Sequence, residues 1–207
     1  MVKTGEKKDN YLSTPRAWQR MLSGRRLDLL DPSPLDVEIE DIAHGLSRVA
    51  RWNGQTRGVW PFSVAQHSLL VVSLYECAQP RAGNRWRLAA LLHDAAEYVV
   101  GDLISPFKAA AGTDYKSMEL RLDRAIRLRF GLPALLPAGV AADIKRADRA
   151  SAYFEAVHLA GFSLEEAGKI FQRPRNLSCP EIRLLSPAQA KRAFLRRFNA
   201  LATQRAP

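Results

Sequence analysis

The sequence predicts an all-α fold, a bundle of about seven helices. Apolar residues recur at steps of three and four along most of the longer segments, which is the spacing of one face of an α-helix. Serine and proline stand at the starts of several of these segments and glycine stands at their ends, as helix caps do. The chain of 207 residues, 47% of them hydrophobic, is long enough for one sizeable core.

The N-terminal part of the chain predicts an arm followed by two helices. Residues 1–13 are polar and charged, so we expect a flexible arm. A short helix is predicted over residues 15–24, because Pro15 suits a first helical turn and Gly24 suits a helix end. A loop with two prolines follows, and the next helix is predicted over residues 40–52, closed by an Asn-Gly pair.

Two strongly apolar helices are predicted for the middle of the core. The first covers residues 65–78 and ends near Pro80. The second covers residues 85–100 and stops at Gly101. Its apolar positions follow helical spacing at Trp86, Ala89, Leu92, Ala96 and Val99.

Three more helices complete the predicted bundle. Residues 115–131 set apolar positions against an Arg-rich face, and residues 140–159 carry another apolar stripe. A serine-proline pair begins a basic amphipathic helix over residues 188–202. We expect residues 166–207 to form a C-terminal extension whose helix packs on the bundle.

Charge and cysteine content limit the partners and the compartment. A net charge of +10 favours anionic partners, namely nucleic acid, nucleotides or membrane surfaces. Cys77 and Cys179 lie far apart and form no Cys-x-x-Cys pair, which predicts neither a disulfide framework nor a thiolate zinc site. No apolar run is long enough to span a bilayer. We therefore expect a cytoplasmic protein without a membrane partner.

The segment LLHDAAEYVVGD places ionisable side chains inside an apolar helix. On an α-helix, His93, Asp94 and Glu97 fall within one sector of about 100°, so all three can face one pocket. An unpaired carboxylate there would cost several kcal/mol of desolvation, which a bound cation removes. Imidazole and carboxylate together predict one divalent metal ion: Mn²⁺, Co²⁺, Fe²⁺, Mg²⁺ or Zn²⁺.

Two further ligands are expected from other helices. His67 lies near the start of the helix over residues 65–78, and Asp148 lies beside the apolar stripe of residues 140–159. Asp143 is an alternative to Asp148, but it falls in a first helical turn, where the positive helix end stabilises a carboxylate without a metal. We therefore favour Asp148 as the fourth ligand.

The order His, His-Asp and a distant Asp resembles the HD-domain metal-dependent phosphohydrolases over about residues 40–160. The string His-Asp-x-x-Glu-x-x-x-Gly-Asp-x-x-x-Pro-x-Lys, starting at His93, is similar to that of bacterial HD-domain 5'-deoxynucleotidases. This resemblance implies an HD-type domain over residues 14–165. It also implies catalytic roles for Glu97 and Asp102 and a substrate-binding role for Lys108.

A second stretch, AHGLSRVARW, resembles the first helix of those nucleotidases, in which an arginine and a tryptophan face the nucleotide. The resemblance implies that Arg51 binds the phosphate and that Trp52 contacts the sugar or base. The chain departs from other HD branches. Tyr98 follows Glu97 where alarmone hydrolases have Asp, Glu97 stands where triphosphohydrolases tend to have His, and the Gly-Tyr-Pro signature of cyclic-dinucleotide enzymes is missing.

The expected function is hydrolysis of a nucleotide phosphomonoester through a metal-bound water. The expected partner is a small anionic substrate, and a homodimer is plausible for the family. Three alternatives stay open at this point. They are an HD hydrolase acting on another phosphate ester, a basic helical nucleic-acid-binding module suggested by the Arg-rich faces, and a degenerate HD scaffold that serves only for interaction.

Overall fold

A computed structural model of the chain describes residues 17–103, 112–175, 177–178 and 180–203. In these ranges it contains one two-stranded hairpin and eight α-helices, which confirms the all-α class. The elements are β1 Trp18–Arg20, β2 Arg26–Asp28, α1 Ile39–Leu46, α2 Val64–Ala78, α3 Asn84–Leu91, α4 Glu97–Val100, α5 Gly112–Arg129, α6 Ala138–His158, α7 Leu164–Phe171 and α8 Pro187–Thr203. The predicted arm, residues 1–13, lies outside the described residues.

The prediction of a helix over residues 15–24 is wrong, because the described part of this segment belongs to the β1–β2 hairpin. Gly24 has a φ of 91°, a left-handed conformation that closes the turn. The neighbouring Ser23 donates from its backbone N–H and its hydroxyl to the buried Asp41. Leu27 in β2 is fully buried. Tertiary burial and this side-chain bond outweigh the local helix preference.

The helix predicted over residues 40–52 forms only in its first part, because α1 ends at Leu46. Ala50 is extended and pairs with Ser63, and the Arg51 N–H donates to the Phe62 carbonyl at 2.8 Å. Trp52 follows with a φ of 56°. The Arg51–Trp52 pair therefore leaves the helix and turns toward α6.

The helix predicted over residues 85–100 is also not continuous. It breaks into α3 and α4, and turns occupy residues 92–96 between them. Within the break, backbone N–H groups bond three residues back rather than four, for example Ala95 to Leu92 and Glu97 to Asp94, both at 3.1 Å. We call residues 92–96 the kink; they contain His93 and Asp94.

Helix α2 lies at the centre of the bundle and contacts α3, α6 and α8. The predicted helices over residues 65–78, 115–131, 140–159 and 188–202 correspond to α2, α5, α6 and α8. Helix α7 was not predicted, although Ser163 and Glu166 form a capping box that marks its start. In the described part of the chain, no helix is both long and apolar enough to cross a membrane.

Helix α8 packs against α1, α2 and α3. Its inner face buries apolar side chains, at Ala190, Phe194, Phe198 and Leu201. Two of its cations are ion-paired to the bundle: Lys191 Nζ lies 2.9 Å from Glu40 Oε2, and Arg197 pairs with Glu76. The helix is thus held by both its apolar and its basic face.

We predict that Phe194→Ala lowers the free energy of unfolding by about 3–5 kcal/mol, because the side chain is completely buried and its removal leaves a cavity. Urea unfolding followed by circular dichroism measures the change. The exposed Arg192 on the same helix is the control, and Arg192→Ala is expected to change stability by less than about 0.5 kcal/mol. Equal effects of the two variants would show that α8 is not part of the core.

Candidate metal centre

Four side chains from three parts of the fold converge at one point. They are His67 in the first turn of α2, His93 and Asp94 in the kink, and Asp148 in the middle of α6. Each offers one ligand atom, and these four atoms all lie within 4.8 Å of one another. We call these four residues the metal group.

The distances within the metal group are short. His67 Nε2 lies 3.2 Å from His93 Nε2, 3.3 Å from Asp94 Oδ2 and 3.4 Å from Asp148 Oδ1. His93 Nε2 lies 3.2 Å from Asp94 Oδ2 and 4.0 Å from Asp148 Oδ1. Bonds of about 2.0–2.2 Å from one ion would place its ligands about 3 to 4 Å apart, which matches this arrangement.

The local structure fixes where each imidazole points. His93 Nδ1 lies 2.9 Å from the Ala90 carbonyl, which can only accept, so Nδ1 carries the proton and Nε2 presents its lone pair. His67 Nδ1 lies 2.6 Å from the Glu155 carboxylate, which has the same effect when that imidazole is neutral. Two nitrogen lone pairs and the two Asp carboxylates then face one another. Such a set repels itself unless a cation lies between its members.

The pKa of His67 also indicates that this site favours positive charge. Its complete burial and the nearby Arg51 lower the pKa of His67, but Glu155, Asp148 and Asp94 raise it more. The pKa of His67 therefore lies well above its usual value. The carboxylates around His67 thus favour positive charge at this point, which a divalent ion would supply. The imidazole and carboxylate donors suit Mn²⁺, Co²⁺, Fe²⁺, Mg²⁺ or Zn²⁺, and the group could hold one such ion.

Asp148, and not Asp143, belongs to the metal group. Asp143 instead forms an ion pair with Arg146 on the same helix. Asp148 uses its two oxygens differently: Oδ1 faces His67 and His93, while Oδ2 accepts from Lys145 Nζ at 2.7 Å.

A fifth residue, Glu155, is central to the site and was not predicted. It is completely buried on α6, and its Oε1 lies 2.6 Å from both His67 Nδ1 and Ser151 Oγ. Burial alone would raise the pKa of Glu155. The charges of His67 and Arg51 have the larger, opposite effect, so the pKa falls to about 2. Asp148, Ser151 and Glu155 are spaced three and four residues apart, so they lie on one helix face. This spacing could have identified Glu155 from the sequence.

Glu155 also holds the Arg51–Trp52 pair. Its Oε2 accepts from Trp52 Nε1 at 2.9 Å and lies 3.5 Å from Arg51 Nε. On its other side, Arg51 Nη1 donates to Asp102 Oδ2 at 2.9 Å. Burial lowers the pKa of Arg51, but Glu155 and Asp102 raise it above its usual value.

The remaining predicted site residues lie near this cluster or outside the described chain. Glu97 is buried at the start of α4, and its charge helps to raise the pKa of Arg51. The Trp52 ring packs against Phe162 and Phe171, with ring centroids 5.8 and 5.5 Å away. Lys108 lies outside the described residues.

We predict that Asp148→Asn weakens divalent metal binding by about 100-fold or more, whereas Asp143→Asn leaves it unchanged. A residue that binds the metal directly should matter more than a residue that only contacts a metal ligand. Loss of the latter kind of residue lowers metal affinity by about 10- to 100-fold. Isothermal titration with Mn²⁺ or Zn²⁺ measures both variants. Similar affinities in the two variants would remove Asp148 from the metal group.

We predict that Glu155→Gln weakens metal binding by about 10- to 100-fold, because an amide holds the His67 ring less strongly than a carboxylate. Glu165→Gln is the matched control, since Glu165 is exposed on α7 and pairs with Lys169. Circular dichroism checks that both variants are folded before the titration. Unchanged affinity in the folded Glu155→Gln variant would contradict the assignment of Glu155 as a partner of the ligand.

Comparisons with known proteins agree with this site. An HD-domain family model matches residues 64–153, a stretch that includes the whole metal group. An uncharacterized protein of Rhodobacter capsulatus is 59% identical over 191 residues, 90% of this chain and 96% of that protein. The uncharacterized protein YfdR of Escherichia coli is 36% identical over 105 residues, 51% of this chain and 53% of that protein. The HD domain indicates a hydrolase of the phosphohydrolase type. The family match, the all-α fold and the metal group together support placing this chain in the HD superfamily.

Proposed function

We propose that the chain hydrolyses the 5'-phosphomonoester of a nucleotide. The observation that carries this proposal is the double role of Glu155, which contacts His67 of the metal group and also anchors Arg51 and Trp52. A guanidinium suited to a phosphate and an indole suited to a sugar or base are thereby fixed beside the metal group. These three parts in one place suit a phosphohydrolase that acts on nucleotides.

In this proposal the chain's own residues bind the substrate and move protons. A divalent ion held by the metal group would polarise the phosphate and lower the pKa of a water molecule. Arg51 neutralises charge on the phosphate oxygens. Glu97 orients the attacking water or takes its proton, and Asp102 assists at the leaving sugar oxygen.

The contact between Arg51 and Asp102 suggests how the two proposed roles are linked. In the structure Arg51 Nη1 donates to Asp102 Oδ2 at 2.9 Å. A phosphate that binds Arg51 competes with Asp102 for the same cation. Release from Arg51 would leave Asp102 available to assist at the leaving sugar oxygen.

Trp52 is proposed to contact the sugar or base. Its indole N–H is held by Glu155, and its ring is supported by Phe162 and Phe171, so its orientation is fixed before a substrate arrives. Lys108 remains a proposed substrate-binding residue. Two of the basic residues of α8, Lys191 and Arg197, are paired with Glu40 and Glu76, which weakens the case for a nucleic-acid-binding role.

We predict that the metal-loaded protein releases phosphate from nucleoside 5'-monophosphates more efficiently than from other phosphate esters. A panel of ribo- and deoxyribonucleoside mono-, di- and triphosphates, sugar phosphates and cyclic nucleotides tests this by phosphate release and chromatography. We expect kcat/KM to be at least about 10-fold higher for the 5'-monophosphates, because Arg51 and Trp52 contribute only when phosphate and nucleoside are both present. Turnover of a different ester class alone, or no turnover at full metal occupancy, would contradict the proposal.

We predict that Glu97→Gln lowers kcat by about 10²- to 10⁴-fold while the metal content stays the same, since a proton-transfer group is lost and no ligand is removed. Elemental analysis and steady-state kinetics on one preparation measure both quantities. The control is Glu165→Gln on α7, where the side chain is exposed and pairs with Lys169, and it is expected to change neither quantity. A fall in metal content that parallels the fall in kcat would show that Glu97 acts on the metal group instead.

A further inference from the structure

Lys145 is a cation that directly contacts the metal group. Its Nζ donates to Asp148 Oδ2 at 2.7 Å, while the other oxygen of the same carboxylate faces His67 and His93. The two ends of this ion pair differ in exposure: the Lys145 side chain is 63% exposed and that of Asp148 is 15% exposed. The ammonium group therefore lies on the solvent side of the metal group.

The charge balance of the site calls for a further cation when a phosphate binds. Four carboxylates belong to this site: Asp94 and Asp148 in the metal group, Glu155 in contact with His67, and Asp102 in contact with Arg51. One divalent ion and Arg51 together carry one positive charge fewer than these four carboxylates carry negative. A phosphate monoester brings up to two more negative charges. Without another cation, the site would repel the substrate that it is proposed to bind.

Arg51 cannot supply all of this charge, because it already bridges Glu155 and Asp102. Among the lysine and arginine side chains that the structure describes, Arg51 and Lys145 are the two in contact with these carboxylates. Among the described residues, Lys145 has one carboxylate partner, and its own side chain is largely exposed to solvent. Its ammonium group can therefore turn to another anionic acceptor on the solvent side of Asp148.

The two cations lie on different sides of Asp148. Lys145 precedes Asp148 by one helical turn, whereas Arg51 contacts Glu155, which follows Asp148 by two turns. Lys145 and Glu155 are about 15 Å apart along the axis of α6. A phosphate placed at the metal group would thus have Arg51 on one side and Lys145 on the other.

We propose that Lys145 is a second phosphate-binding residue, which moves from Asp148 to a non-bridging oxygen of the bound phosphate. This proposal rests on the proposed function in that it takes a phosphate ester as the substrate. No covalent bond changes in the step. The Lys145 ammonium exchanges one anionic acceptor for another, and Asp148 keeps its metal-facing oxygen in place.

The test is the binding of inorganic phosphate to metal-loaded protein, measured by isothermal titration at a metal content checked by elemental analysis. Lys145→Gln is expected to weaken phosphate binding by about 10-fold or more without loss of metal, as for a lost hydrogen bond to a charged group. Lys145→Arg is expected to retain most of the affinity. The matched control is Lys169→Gln, because Lys169 is also exposed and pairs with a carboxylate on its own helix, Glu165.

Three results would overturn the proposal. They are equal phosphate affinity in wild type and Lys145→Gln, a loss of metal from Lys145→Gln that accounts for the weaker binding, and no phosphate binding by the metal-loaded wild type. The first would leave Lys145 as a surface ion pair, and the second would make it a positioning residue for Asp148. Because inorganic phosphate is not a nucleotide, Lys145-dependent binding without nucleotide hydrolysis would reject the proposed function and keep this inference.

Discussion

The contact between the buried Glu155 carboxylate and His67 is the interaction on which the site depends. The 2.6 Å separation fixes which nitrogen of His67 faces the other ligands. A buried carboxylate is costly unless it is fully bonded, and Glu155 meets this requirement with contacts from His67, Ser151, Trp52 and Arg51. One side chain on α6 therefore orients a metal ligand and anchors the proposed substrate residues. The orientation of the metal ligand and the position of the proposed substrate residues therefore both depend on Glu155.

The kink between α3 and α4 supplies the second constraint. On a regular helix, consecutive residues point about 100° apart, so His93 and Asp94 can face one pocket, but their side chains start in diverging directions. In the kink, backbone bonds of the three-residue type bring His93 Nε2 and Asp94 Oδ2 to 3.2 and 3.3 Å from His67 Nε2. The helix is thus irregular at the point where two adjacent ligands, His93 and Asp94, converge. The positions of the metal-facing atoms thus depend on a local break in the helix, and the apolar periodicity of the sequence does not predict this break.

Sequence reasoning succeeded where residue type alone carries the information. Helices α2, α5, α6 and α8 follow from apolar periodicity, and the members of the metal group stand out because His and Asp are unusual in apolar segments. It failed where tertiary contacts decide. The break at residues 92–96 has the same apolar pattern on both sides, and the hairpin forms because Leu27 is buried and Ser23 bonds to Asp41. Glu155 was missed because a glutamate on an amphipathic helix is usually exposed.

The central claim is that four side chains from α2, the kink and α6 bind one divalent ion. A crystal of the protein grown with Mn²⁺ and measured at a wavelength where manganese scatters anomalously tests this directly. The account predicts one anomalous peak within about 2.0–2.4 Å of His67 Nε2, His93 Nε2, Asp94 and Asp148. A peak bonded to other residues, or none at these four in crystals that contain the metal, would contradict it.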